Sequence, residues 1–547
     1  MQYRLWLLPA AALLLPSCMV GPNYVRPAAP VTPAYKEPPP QASKGDEIWK
    51  PVHPSDGALR TPWWELFGDD ELNSLEQQVA GANQELKAAE ARFREARALV
   101  GFARADEFPT IGVGPGISSL RESTNQPYFP LASSFATGEL VLPVDLSYEI
   151  DLWGRIRRGV AAAGEKAQAS AADLESVNLS LHTELAIDYF ELRSADAQQR
   201  LLDDTVKAYT DSLQLTRDRL EGGASPESDV AQAKTQLDTA RVQATDISVR
   251  RARYEHAIAV LIGRPPASFA LPAASLEAEP PVIAVGIPSE LLERRPDIAA
   301  AERRAAAANE QIGIAIAAYY PSLSLNGVAG FESSALNTWF NWPSRMWAVG
   351  LSMAETVYDG GRRHAKTDAA RAHYDAAIAD YRQTTLTAFQ QVEDNLAALR
   401  ILEREAEQQD EAVDSARSNL RIFTDRYIGG RDSYLQVITA QTAYLDNERN
   451  QVEIRRRRMD ASVLLIKALG GGWTASALPT LGELTRPAAD SQLSDLRHGD
   501  QLNDQCFSLG KAHCEQSATA PRGKTTGERT TGWRRSALPT RSPASIA

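Results

Sequence analysis

The sequence predicts an α+β membrane protein: a duplicated unit in which long, coiled-coil-like helices adjoin membrane-spanning strands, four strands per chain contributing to a β-barrel shared between chains. Three observations predict it. At an offset of 207 residues the chain aligns with itself without a gap, Arg155 to Gly263 falling on Arg362 to Gly470. Two segments of 66 residues, 156–221 and 363–428, hold no proline and repeat apolar residues at spacings of three and four. Between the helical stretches the period changes to two, over segments of ~10 residues, the length of a membrane strand.

The amino terminus reads as a signal peptide, residues 1–17. Arg4 precedes an apolar run of 11 residues, Leu5 to Leu15, too short for a helical span of ~20 residues. Leu15, Pro16, Ser17 and Cys18 resemble the lipobox of a bacterial lipoprotein signal, in which cleavage leaves the cysteine first and its thiol carries a diacylglyceryl group. Similarity to sorted lipoproteins implies that Met19, where an aspartate would retain the protein, permits transport to the outer membrane. Residues 18–62 then form a lipid-anchored, extended segment, and the lipid on Cys18 is the only attached group expected.

Residues 63–263 and 264–472 are the two repeats. A second register, offset 212, pairs Ala89, Glu90 and Arg92 with Ala301, Glu302 and Arg304, and Pro109 with Pro321. Strands are expected at about 109–120 and 138–149 in the first repeat and about 321–331 and 346–356 in the second. Leu140, Leu142, Val144, Leu146 and Tyr148 alternate with small or polar residues, as do Trp347, Val349, Leu351 and Met353. Aromatics gather at both strand ends: Phe108, Tyr148, Trp153, Tyr319, Tyr320 and Tyr358 beside the helices, and Tyr128, Phe129, Phe135, Trp339, Phe340 and Trp342 beside the loops, where interfacial girdles belong. Four strands cannot close by themselves, since lipid tolerates no open edge and single-chain barrels begin at ~8 strands. Two copies would give eight and three would give twelve.

After the strands, each 66-residue rod would be ~99 Å long at ~1.5 Å per residue. The rods stop at Gly222-Gly223 and Gly429-Gly430, where a left-handed turn is sterically easy, and helical pattern resumes at about Pro226 and Ser433. Each repeat thus ends in a helical hairpin, with tips at 222–225 and 429–432. The tail, 473–547, is rich in Ser, Thr, Pro, Gly and Arg and reads as disordered; Cys506 and Cys514 lie in it.

Composition excludes other classes. The net charge of −12 argues against nucleic acid, which needs clustered Lys and Arg. An enzyme finds no support in seven scattered histidines and no HExxH or GxSxG; Gly523-Lys524-Thr525 lacks the earlier glycine of a phosphate loop, Ala518 standing there, and no metal site is expected.

Four stretches in order, CMVGPNYVRP (Cys18 to Pro27), WWELFGDDELNSL (Trp63 to Leu75), LLERRPDI (Leu291 to Ile298) and RYIGGRDSYLQV (Arg426 to Val437), resemble the TolC/OprM-like outer-membrane factor family, in its NodT-type efflux lipoprotein subgroup. The resemblance implies a homotrimer with a 12-stranded barrel in outer-membrane lipid, continued by a helical barrel into the periplasm. It also implies an exit duct for small molecules such as drugs, joined through a periplasmic adaptor protein to an inner-membrane pump. A duct for type I protein secretion and a non-conducting, lipid-anchored coiled-coil spacer are the alternatives. The hairpin tips would close like an iris. Asp218 and Arg219 in the first tip and Asp425, Arg426, Tyr427, Arg431 and Asp432 in the second are the candidate gate, Arg431 and Asp432 narrowing the pore. Gly222, Gly223, Gly429 and Gly430 would shape the adaptor-docking tips. Gln436 and Thr439 stand where some members carry acidic residues that ring the pore.

Overall fold

A computed structural model describes residues 19–37, 62–121, 137–276, 279–283, 285 and 288–486. Cys18, Tyr128, Phe129, Phe135, Cys506 and Cys514 lie outside them. The main helices are α1 (Asp70–Ala82), α2 (Gln84–Ala105), α3 (Arg155–Glu221), α4 (Glu227–Leu261), α5 (Pro296–Ala317), α6 (Arg362–Ile428) and α7 (Tyr434–Ala468). The strands are β1 (Thr110–Val113), β2 (Gly116–Leu120), β3 (Thr137–Ile150), β4 (Ser322–Ser333) and β5 (Arg345–Ala354).

The two self-alignment registers reappear as matched elements. α3 and α6 have 67 residues each and α4 and α7 have 35 each, at offset 207; α2 and α5 have 22 each, at offset 212. A rod of 67 residues is ~100 Å long. Each rod starts where a strand hands over to it. Gly154 (φ 80°) and Gly361 (φ 86°) turn the chain in left-handed conformations, and the carboxylates of Asp151 and Asp359 each accept a free N–H of the first turn, from Arg157 and Arg363, both at 3.0 Å.

Each rod carries two shorter helices end to end. α2 and then α4 pack on α3, while α5 and then α7 pack on α6; α5 also lies against α3. The largest core sits at mid-height, where these handovers occur. There Trp63, Phe67, Leu72, Leu75 and Val79 pack against Leu185, Tyr189 and Phe190 of α3, with Val392 and Leu396 of α6 and Val463 and Ile466 of α7 in the same cluster. The stretch WWELFGDDELNSL is therefore the wedge of this core, with Asp69 capping α1 through Glu71 N and Leu72 N and accepting the Tyr189 hydroxyl at 2.7 Å. LLERRPDI is the second joint. Pro296 opens α5, and the buried Arg295 holds Asp297 at 2.6 Å, Gln391 of α6 at 2.9 Å and the Ala468 carbonyl at 3.1 Å.

The strands form one antiparallel sheet in the order β1–β3–β4–β5, with β2 also on β3. One expected strand is corrected: 109–120 is not continuous but breaks at Gly114-Pro115. The partner positions on β3 include Pro143, and neither proline has an N–H to offer the ladder. The tail is corrected too. Residues 473–486 are built onto the body rather than disordered: Thr480 and Glu483 form a capping box on the one-turn helix Leu481–Leu484, and Leu484 is buried against Val100 and Ala167. That reading of residues 487–547 lies outside the described residues.

The segment 19–37 carries no helix or strand and runs as a strap over the body. Val20 N donates to the Trp153 carbonyl at 3.1 Å. The buried Arg158 donates to the carbonyls of Val20 (2.7 Å) and Gly21 (3.2 Å) while pairing with Glu310 at 2.7 Å. Tyr24 donates to Glu302 at 2.6 Å, and Lys36 N and Glu37 N reach Glu393 of α6.

Candidate functional site

Two regions carry the functional geometry, and the sheet is the first. Its register gathers most of the large apolar side chains on one face: Ile111, Leu146, Gly327 and Val349 form one row, Val113, Val144, Ala329 and Trp347 the next, and Tyr148, Leu325 and Leu351 a third. The opposite face holds Asp145, Ser147, Asn326, Ser324 and Ser352. A strand's side-chain period of two requires this division once the register is fixed. The apolar face is uncovered: Trp347 is 78% exposed, Val349 70% and Ile117 77%. β1/β2 and β5 are free edges. Aromatics mark both ends, with Trp153 stacked on Tyr320 (4.7 Å) at the helix end and Trp339 on Phe340 (4.9 Å) at the loop end. No helix among the described residues is long and apolar enough to cross a membrane, so a bilayer contact falls to the strands.

The second region is the pair of hairpin tips. Each rod ends in a Schellman motif: Gly223 N bonds to Leu220 O and Ala224 N to Arg219 O, and Gly430 N bonds to Tyr427 O and Arg431 N to Arg426 O. Only the second glycine of each pair is left-handed. Gly223 has φ 70° and Gly430 φ 68°, whereas Gly222 and Gly429 have φ −77° and −74° and are ordinary helix ends.

Around these turns the structure joins the two hairpins of one chain. Tyr427 and Tyr434 are buried with ring centroids 5.2 Å apart, among Tyr209, Leu213, Leu237 and Val437. Arg219 donates to the Ile428 carbonyl at 2.9 Å and lies 4.7 Å over the Tyr427 ring. The Tyr427 hydroxyl meets Ser225 Oγ at 3.0 Å and also bonds the Asp229 carboxylate. Burial raises the pKa of Asp229, opposed by that hydroxyl and by Arg219; burial pushes Tyr434 up to about 12. Higher up, Gln441 donates to Ser212 at 3.0 Å and Gln236 to Thr442 at 2.9 Å.

The candidate gate residues do not form one cluster. Arg219 and Tyr427 are the cross-hairpin pair. Arg426 and Asp432 pair within the second tip, Nε to Oδ2 at 2.5 Å and Nη2 to Oδ1 at 3.1 Å. Asp218 accepts from Gln214 of its own helix at 2.7 Å. Asp425 is exposed and contributes its carbonyl to Gly429 N; Arg431 is exposed, and its N–H closes the turn. Ser225 and Tyr434 escaped the sequence reading. Ser225 falls on Asp432 and Tyr434 on Glu227 under the 207 offset, so the tip chemistry differs between repeats at the very positions where a repeat search looks for identity.

A sheet with one apolar exposed face and two open edges, standing on ~100 Å helical rods, defines a class: a channel-forming outer-membrane protein with a helical extension. Comparison with known proteins agrees. The family model described as outer membrane efflux protein matches residues 75–264 and 287–471. The solvent efflux pump outer membrane protein SrpC of Pseudomonas putida is 31% identical over 471 residues, 85% of this chain and 98% of the relative. The toluene efflux pump outer membrane protein TtgF, also of Pseudomonas putida, is 30% identical over 466 residues, 85% of this chain and 96% of the relative. The solved outer-membrane channel OprN superimposes with a TM-score of 0.75 at 29% identity, covering 83% of this chain and all of that one. The chain belongs to the outer membrane efflux protein family.

Proposed function

We propose that three copies of this chain close their sheets into a 12-stranded barrel and their rods into a helical duct, and that this duct is the exit stage of a tripartite efflux system. The inner-membrane pump supplies the energy, and a periplasmic adaptor meets the tips. The observation that carries the reading is the sheet: its apolar face needs lipid and its two edges need another chain. Relatives named for toluene, solvent and antibiotic efflux support small organic molecules as cargo.

Cys18 carries the lipid in this reading. Its neighbour Met19 lies against Gly154, beside Trp153 at the helix end of the sheet, which suits an acyl chain entering the periplasmic leaflet. Gly222, Gly223, Gly429 and Gly430 present bare, exposed backbone at the extreme end of the rods, which suits docking. The test is the detergent-purified protein in a planar bilayer. Discrete conductance steps, together with restored solvent and drug tolerance in a strain lacking its own outer-membrane efflux proteins, are expected; a silent bilayer would leave the spacer instead.

A further inference from the structure

The internal repeat makes several helix contacts in this chain recur in pairs. The contact between α2 and α3 is matched by that between α5 and α6, and the residues correspond: Leu86 and Leu181 are buried in the first, and Ile298 and Ala388, their counterparts at offsets 212 and 207, cluster in the second. The contact between α3 and α5 occurs once. Its counterpart would join α6 to α2, and no comparable contact joins those helices within the chain.

At the contact between α3 and α5 the guanidinium of Arg304 on α5 holds both oxygens of Asp173 on α3, at 2.6 and 2.5 Å. Both residues recur. Arg304 corresponds to Arg92 on α2, and Asp173 to Asp380 on α6. Arg92 and Asp380 are exposed, and neither takes part in an ion pair found among the described residues. Asp380 borders the same groove between α5 and α6 as Arg304, together with Lys166 and His373, so it stands at the level of the formed pair. Around the body the order is therefore Arg92, Asp173, Arg304, Asp380: alternating charges with one of each sign left at the two ends.

We infer that Arg92 of one copy pairs with Asp380 of the next, closing a belt of alternating arginine and aspartate around the helical barrel. The occupant of the open α6 flank is a second copy of this chain, offering α2. The inference rests on the ring closure proposed above and names the residues that make it. An exposed ion pair adds little affinity, and like charges at the same place repel, so the belt's effect is on register and on excluding mispaired copies.

The test uses the full chain in detergent with Cys506→Ser and Cys514→Ser. Arg92→Cys combined with Asp380→Cys should give covalent dimers and trimers with a short bis-maleimide, and neither single cysteine should. Separately, Arg92→Asp should lower the temperature at which the oligomer dissociates, and adding Asp380→Arg should restore it. An oligomer intact by light scattering whose chains stay monomeric after cross-linking, or a double reversal no better than the single one, overturns the pair while leaving the duct standing. A monomer by light scattering overturns both.

Discussion

At the tips, two glycines that look alike in sequence have different duties. Gly223 and Gly430 hold φ near +70°, where a Cβ costs about 1 kcal/mol or more, while Gly222 and Gly429 sit in helical space with ordinary van der Waals room for a methyl group. Gly223→Ala should therefore lower the thermal midpoint and Gly222→Ala should leave it unchanged or raise it; equal effects would contradict the Schellman assignment. Among the described residues, the Arg219 contacts are the only polar ones tying the extreme end of α3 to α6 through a charge, so Arg219→Ala should raise single-channel conductance by loosening the closed tip. Asp432→Ala should do the same by freeing Arg426; an unchanged conductance would remove Asp432 from the gate. The double-glycine stops were legible in the sequence because glycine is the one residue that makes the left-handed turn cheaply. Which glycine turns was not, because it depends on where the last helical carbonyl finds its donor. Arg158 and Arg295 were illegible for a different reason: their partners lie 137 and 173 residues away for Gly21 and Ala468, and no local pattern marks an arginine for burial.

Among the elements, α3 and α7 meet at mid-height in a crowded set of carboxylates. Arg456 is shared by Glu191, Glu453 and Asp460, and Asp188 lies beside them. Burial pushes Asp460 up to about 7, with Arg456 opposing and Glu191 and Glu453 adding; burial, then Glu184 and Glu191, push Asp188 up to about 7. The folded pKa lies above the unfolded one, near ~3.9, so the folded state keeps its proton longer. The associated stability is complete below ~4 and is lost as pH rises through 7. Asp460→Asn should thus be more heat-stable than the parent at pH 8, with the gap closing towards pH 4; a gap independent of pH would refute this. In the sheet, Val349→Arg on the apolar face should cost ~2–4 kcal/mol if it stands near the bilayer centre, and Ser352→Asn on the other face far less. The alternation that makes this prediction was legible from period alone. The break at Gly114-Pro115 was legible only in part, since Pro115 warns of it but Pro143 across the ladder fixes its place. Residues 473–486 misled by composition: a Thr-x-x-Glu box and two leucines outweigh their loop-like surroundings once α2 and α3 offer a surface.

For the whole molecule, α2 and α5 flank the rods above the mid-height core and α4 and α7 flank them below it. Each chain therefore stands four helices in the wall at every level, changing only their identity at the joint while α3 and α6 pass through unbroken. Because the circumference of a tube of staves follows their number, the bore of the proposed trimer would keep one calibre past the joint. In the proposed trimer a solute travelling outward would meet no change in the number of staves at that joint.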